Sequence, residues 1–291
     1  LSSSWETEQR KHNMVNLDNP KNNWMRPEVR KEISKFQDTQ IEQEFSDAVE
    51  DHRIEEIYWV GGEPLMYEQH WRYMKRIVEL GDGPRLYARY NTNLSRIRYK
   101  GISLLEDILP NIRDWQICAS LDGTGAIGEY IRTGLKYEEF VDHFRTLLPL
   151  ARNKRMMRLD YTLTLPGMFD IVNMQKLANE LDVEILAKVI FTFSPDIIMS
   201  PMALPRNILN EMVDKRIAEM PLGPALTDVL TQLKNRPNIE EQWPDEYERG
   251  LRKGKRRMLT LESIRPNNIC FRDIISSCPD TLAWWDGIDA G

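Results

Sequence analysis

"EEIYWVGGEPLMYEQHWRYMKRIVEL", residues 55–80, decides how this chain is read. Glu55–Val60 carries a short aromatic and aliphatic run that reads as a strand. From Tyr67 to Leu80 apolar residues return at helical spacing, which predicts a helix. Between the two stand consecutive glycines, an acid and a proline. The same rhythm continues on either side. "IEQEFSDAVED" (41–51) reads as helix, "RLYARY" (85–90) as strand and "ISLLEDIL" (102–109) as helix. "WQICAS" (115–120) is strand, "YEEFVDHFRTLLPLA" (137–151) helix, "MRLDYTLT" (157–164) strand, "DIVNMQKLANEL" (170–181) helix and "VEILAKVIF" (183–191) strand. Short β-rich runs alternating with helices predict an α/β fold with a parallel sheet or barrel.

Upstream, residues 1–40 are polar, and a short helix is expected to open near Pro27, a good first helical position. Beyond Pro195 the strand signals stop. Residues 205–220, 223–235 and 246–264 read as helices, and "CPDTLAWWDGIDAG" as a helical cap. Two regions are therefore expected, an α/β region over 1–195 and a mainly helical extension over 196–291.

With 291 residues, 41% of them hydrophobic, the chain can build a substantial core. Its net charge of −6 disfavours a general nucleic-acid surface. The basic run Lys253, Lys255, Arg256, Arg257 reads as a solvated helix face. No apolar run approaches the ~18 residues of a membrane span, and no signal-peptide pattern opens the chain. The cysteines number three, Cys118, Cys270 and Cys278, without C-x-x-C spacing. That is no disulfide framework, suggests a cytoplasmic setting, and offers no thiolate metal site. All three read as structural.

Active sites of parallel α/β folds gather where strands end. Here the exits read Val60 then "GGEP", Tyr90 then "NTN", Ser120 then "LDG", Thr164 then "LPG", and Phe191 then "TFSP". Any βα turn favours Gly, Asn, Asp and Pro, yet small polar groups at several exits would converge on one mouth. Gly61 and Gly62 permit positive φ and close approach of a ligand to backbone. Glu63 adds a negative charge, and Pro64 stiffens the exit. Carbonyls and a carboxylate suit a small cation such as an ammonium. A phosphate cradle is excluded, since its Lys and Ser/Thr are missing and Glu63 would repel the ligand.

"GGEP", "NTN" and "SLDG" followed by "EYIRTG", in this order on successive strand exits, resemble the radical S-adenosylmethionine enzymes, especially the branch with twitch or SPASM extensions. The resemblance spans roughly residues 50 to 195. It implies a partial (β/α)6 TIM-like barrel holding S-adenosylmethionine and a 4Fe–4S cluster. It also implies reductive cleavage of the cofactor to a 5′-deoxyadenosyl radical, which takes hydrogen from a peptide or small-molecule substrate. A flavodoxin or ferredoxin is the implied electron donor. On this likeness Gly61, Gly62, Glu63 and Pro64 would hold the methionine ammonium. Asn91, Thr92 and Asn93 would stand near the cofactor, Ser120 and Asp122 near the ribose, and Arg132 would pair with the methionine carboxylate through its guanidinium fork. The family's C-x-x-x-C-x-x-C is missing. "LSSSWETE" at the start looks like the Ser-rich turn and Trp found just past the last cysteine of that loop, so the cluster cysteines and first strand are expected upstream of Leu1. The other reading is a barrel relative that binds a nucleoside-like ligand or a partner protein without a cluster. Only Cys270 and Cys278 lie in the tail, which favours the shorter twitch extension.

Other candidates read more plainly. His12, His52, His70 and His143 have no i, i+4 ligand partner and are expected at the surface or in caps. Trp284 and Trp285, beside Asp286, either floor a cleft or pack a terminal segment. On the strand 157–164, either Asp160 with Thr162 or Tyr161 alone faces substrate. An ordinary hydrolase using Glu63 as general base lacks a nucleophile elbow or a Ser-His-Asp order.

Overall fold

The computed structural model describes residues 10–13, 15–189, 199–219, 221–265 and 269–291. The exit at Phe191 and the segment "LSSSWETE" lie outside them. The chain is α/β, with a five-stranded parallel sheet ordered β1-β2-β5-β6-β7. These strands are β1 (Glu56–Trp59), β2 (Tyr87–Thr92), β5 (Asp114–Ser120), β6 (Met157–Leu163) and β7 (Ile185–Val189). A separate hairpin pairs β3 (Arg98–Tyr99) with β4 (Ile102–Ser103). The chain divides into two compact units, residues 1–118 with 142–156, and residues 119–141 with 157–291.

The first unit contains α1 (Pro27–Phe36), α2 (Glu42–Glu50) and α3 (Glu68–Glu79). β1 and β2 run parallel with Trp59 opposite Tyr90, so the "GGEP" and "NTN" exits lie side by side. Alternation along β2 buries Ala88, Tyr90 and Thr92 and leaves Tyr87, Arg89 and Asn91 half-buried. α3 buries His70, Trp71, Tyr73, Met74 and Ile77, each worth roughly 1.5–3 kcal/mol of removed apolar surface where the side chain is hydrophobic. The Trp71 indole N–H donates to the Leu65 carbonyl at 2.9 Å and closes the strand-to-helix turn.

The helix expected over 102–109 is replaced. Ile102 and Ser103 form a strand, and Leu104–Ile108 makes a single π turn. Lys100 (φ 46°) and Gly101 (φ 84°) turn the chain back on itself. The Ser103 hydroxyl then accepts from the Glu106 amide at 3.2 Å, and Pro110 bars further helix.

The second unit holds β6, β7 and α4 (Gly125–Ile131), and α5 (Tyr137–Leu147) runs from it into the first. It continues with α6 (Ile171–Leu181), α7 (Arg206–Glu219), α8 (Pro224–Asn235), α9 (Pro244–Ile264) and α10 (Pro279–Gly287). Described residues from 199 onward contain helices and no strand, as their sequence suggests. The basic run of α9 is not simply solvated. Lys255 Nζ donates to the carbonyls of Trp285 (2.6 Å) and Ile288 (2.8 Å), and Arg256 Nε to that of Ala290 (2.8 Å). Cations placed at the end of α10 satisfy carbonyls that the helix leaves open.

Candidate functional site

The turn after β1 is built as its glycines demand. Gly61 has φ 88° and Gly62 φ 57°, both in the left-handed region. A Cβ on Gly62 would come within 2.7 Å of Tyr67 Oη, whereas one on Gly61 would meet open space. Both glycines are exposed. Among the described residues no backbone N–H donates to either of their carbonyls.

Glu63 is half-buried and committed to protein. One carboxylate oxygen accepts from the Leu65 amide at 3.1 Å, capping the 3-10 turn Pro64–Met66, and also from the Thr92 hydroxyl. The other accepts from the Asn93 amide at 2.6 Å. The Thr92 oxygen in turn accepts from the Leu94 amide at 3.0 Å. Asn93 Oδ1 accepts from the Ser95 amide at 3.0 Å, an Asx turn. Leu94 takes φ 49°, and its carbonyl lies 2.7 Å from His143 Nδ1. The "GGEP" and "NTN" exits are therefore one hydrogen-bonded piece, with buried Thr92 at its centre and Asn91 and Asn93 half-buried beside it.

In the second unit Ser120 ends β5 half-buried, and Asp122 has no exposed surface. Asp122 Oδ1 accepts from the Thr162 amide at 2.9 Å. Its Oδ2 stands 2.7 Å from Arg132 Nε, an ion pair whose angles fall short of a hydrogen bond. A carboxylate with no exposed surface thus stands between Arg132 and the backbone of β6. Arg132 stays partly exposed, and the pair engages its Nε.

Small residues make this corner possible. A Cβ on Gly128 would stand 2.1 Å from the Gly123 carbonyl oxygen, so α4 packs directly on the turn. Asp170 fixes the turn's far side through the Thr124 amide, the Thr124 hydroxyl (3.1 Å) and Asn173 Nδ2 (2.8 Å). Burial raises the Asp170 carboxyl above its ordinary range against those bonds.

The two faces of β6 hold different partners. Tyr161 is fully buried and its hydroxyl donates to the Gly167 carbonyl at 2.9 Å. Asp160 lies on the other face, where Lys188 Nζ reaches both of its oxygens at 2.9 and 3.0 Å. Thr162, directly opposite Lys188 in the register, shares that face.

His70 overturns the expectation of a surface or capping role. It is fully buried among Trp59, Trp71 and Tyr90, all edge-on at 4.9–5.4 Å between ring centroids. Nε2 lies 3.3 Å from Tyr90 Oη, and Nδ1 has no partner. Burial lowers its pKa to about 3. The helical spacing of α3 carried a signal for this, since His70 sits one residue before Trp71 and four before Met74 on the apolar side. His52 is exposed, as expected, with Nδ1 2.7 Å from Asp82, whereas His143 is half-buried within α5.

Cys118 is buried, while Cys270 and Cys278 are part-exposed and free. Cys270 Sγ donates to Asp273 Oδ2 at 2.9 Å, and burial raises its thiol pKa. Among the described residues no three His, Cys, Asp or Glu side chains group to hold a metal ion. Trp284 lines a cleft of about 360 Å³ with Tyr247 and Leu251, whereas Trp285 packs in the core against Phe271. Among the described residues no helix is long and apolar enough to cross a membrane.

No protein-family profile matches the sequence. No curated protein matches it either.

Proposed function

We propose that this chain is the S-adenosylmethionine-binding part of a radical S-adenosylmethionine enzyme, a partial (β/α)6 barrel with a helical extension. What carries the reading is the join between Glu63 and the Thr92–Asn93 exit. It makes two motifs of the resemblance a single structure that presents the carbonyls of Gly61 and Gly62, to which no backbone N–H donates among the described residues. Two carbonyls beside a carboxylate form an ammonium site by ordinary charge-assisted hydrogen bonding. Within the second unit, taken by itself, Arg132 is ion-paired with Asp122 and offers a guanidinium to a carboxylate.

The described residues provide no ligand set for an iron–sulfur cluster. In the proposed family such a cluster would supply the reducing electron, while the residues described would hold only the methionine end of the cofactor. The chain's own contribution is to bind the methionine end and fix its orientation.

Equilibrium dialysis of the chain against labelled S-adenosylmethionine tests the binding. Saturable binding weakened at least tenfold by Glu63→Gln and by Arg132→Met is the expected result. Absence of saturable binding, or unchanged affinity in both variants, overturns it. A second reading, a binding protein that works without a cluster, is favoured by the same lack of a ligand set among the described residues. Anaerobic reconstitution with iron and sulfide separates the two, because only the enzyme then releases 5′-deoxyadenosine.

A further inference from the structure

The turn that carries Arg132 is gripped by the helical extension. The turn follows α4, and the Arg132 amide closes that helix by donating to the Gly128 carbonyl at 2.9 Å. Carbonyls of the last helical turn then lack partners within the helix. Arg265, which follows α9, supplies one. Its Nη1 donates to the Tyr130 carbonyl at 2.8 Å and its Nη2 to the Thr133 hydroxyl at 2.9 Å. One acceptor lies before Arg132 in the chain and the other directly after it. A single planar guanidinium therefore bridges the backbone on which Arg132 stands.

Tyr130 is held at its other end as well. Its side chain is fully buried, and its hydroxyl donates to Glu262 Oε1 at 2.7 Å. The same oxygen accepts from the Phe271 amide at 2.8 Å. The Arg265 guanidinium also lies 5.4 Å from the centre of the Tyr130 ring. Arg265 itself is buried. Burying a cation is costly unless its N–H groups are met, and apolar packing would anchor a helix end at less cost. What the guanidinium adds is direction, because its fork fixes two acceptors at once. Arg132 needs that direction, since its side chain is partly exposed and meets Asp122 without the angles of a hydrogen bond.

We propose that Arg265 is a positioning residue for Arg132: the extension sets the backbone from which Arg132 reaches a ligand carboxylate. All the groups involved belong to the second unit. The inference rests on the reading of Arg132 as partner of the methionine carboxylate.

Equilibrium dialysis of the chain against two labelled ligands tests it. One is S-adenosylmethionine; the other is its decarboxylated form, which keeps the sulfonium and the ammonium but lacks the carboxylate. Arg265→Met should weaken S-adenosylmethionine by about fivefold or more and leave the decarboxylated ligand within about twofold of wild type. Arg265→Lys, able to meet one acceptor, should fall between. Thr133→Val removes one acceptor at an exposed position and serves where Arg265→Met does not fold. It should weaken S-adenosylmethionine alone, by about two- to threefold. Equal loss of both ligands would make Arg265 a structural residue only and overturns the proposal. Unchanged affinity in the Arg265 and Thr133 variants, while Arg132→Met still weakens binding, also overturns it and leaves the cofactor reading standing. S-adenosylmethionine binding that is absent, or indifferent to Arg132→Met, overturns the assignment of Arg132 and this inference with it.

Discussion

The Glu63 carboxylate accepts the hydroxyl hydrogen of Thr92, a residue 29 positions later that ends the neighbouring strand. One oxygen of Thr92 thus serves two motifs, since it also accepts from the Leu94 amide.

Thr92→Val keeps the shape of this buried side chain and removes its hydroxyl. A hydrogen bond to a carboxylate is lost, and the Leu94 amide loses its acceptor. The expected cost is about 2–3 kcal/mol, read from urea unfolding midpoints. Thr92→Ser should recover most of it. If both exits act as one ligand site, Thr92→Val also weakens S-adenosylmethionine binding, whereas a comparably destabilising core change such as Ile77→Ala does not.

Gly61 and Gly62 separate conformational cost from steric cost. Both have positive φ, so alanine at either should cost about 1–2 kcal/mol from backbone strain alone. At Gly62 the new methyl also displaces the Tyr67 ring. Because that ring is exposed and free to swing, the added cost should be a few tenths of a kcal/mol, removed in a Tyr67→Ala background. Equal unfolding midpoints for Gly62→Ala and wild type would contradict the left-handed turn.

The sheet strands were legible because each is a compact aromatic or β-branched run set between helices of clear period. All five strand signals correspond to observed strands within a few residues, although the last residues of 183–191 lie outside those described. The hairpin was not legible, since two-residue strands leave no periodicity, and "ISLLEDIL" has a helical composition overridden by the turn at Lys100–Gly101. At the site, the residue types of "GGEP" and "NTN" were readable but not their joining, which depends on parallel register between strands far apart in sequence. The burial of Asp122 was hidden for a similar reason. Its partners, the Thr162 amide and Arg132, come from a later strand and from the end of α4, and no local pattern announces them.

Asp122 and Arg132 should behave as a coupled pair. Arg132→Met leaves a carboxylate buried without its counter-charge and should cost about 3–4 kcal/mol. Asp122→Asn keeps an acceptor for the Thr162 amide and leaves a partly exposed guanidinium, so about 2 kcal/mol is expected. The double variant should be destabilised by less than the sum, with a coupling of about 1–2 kcal/mol from chemical denaturation. Strict additivity would mean that the 2.7 Å approach carries no interaction.

His70 gives the fold a defined sensitivity to acid. Its pKa falls from an ordinary 6.5 to about 3 because burial excludes the charged form, and its Nδ1 has no partner to accept a proton's hydrogen bond. Between those values the unfolded chain binds a proton at this residue that the folded chain does not. Stability therefore rises with pH from about 3 to 6.5 and is indifferent to His70 above that. At about 1.4 kcal/mol per pH unit, moving from neutral pH to pH 5 should cost about 2 kcal/mol at this site. His70→Phe keeps an aromatic ring against Trp59, Trp71 and Tyr90 and cannot titrate. Its unfolding free energy should lose about 2 kcal/mol less than that of the wild type over the same pH step, whatever its stability at neutral pH. Parallel pH profiles for the two proteins would show that His70 is open to solvent or partnered when protonated, contrary to its place in the aromatic cluster.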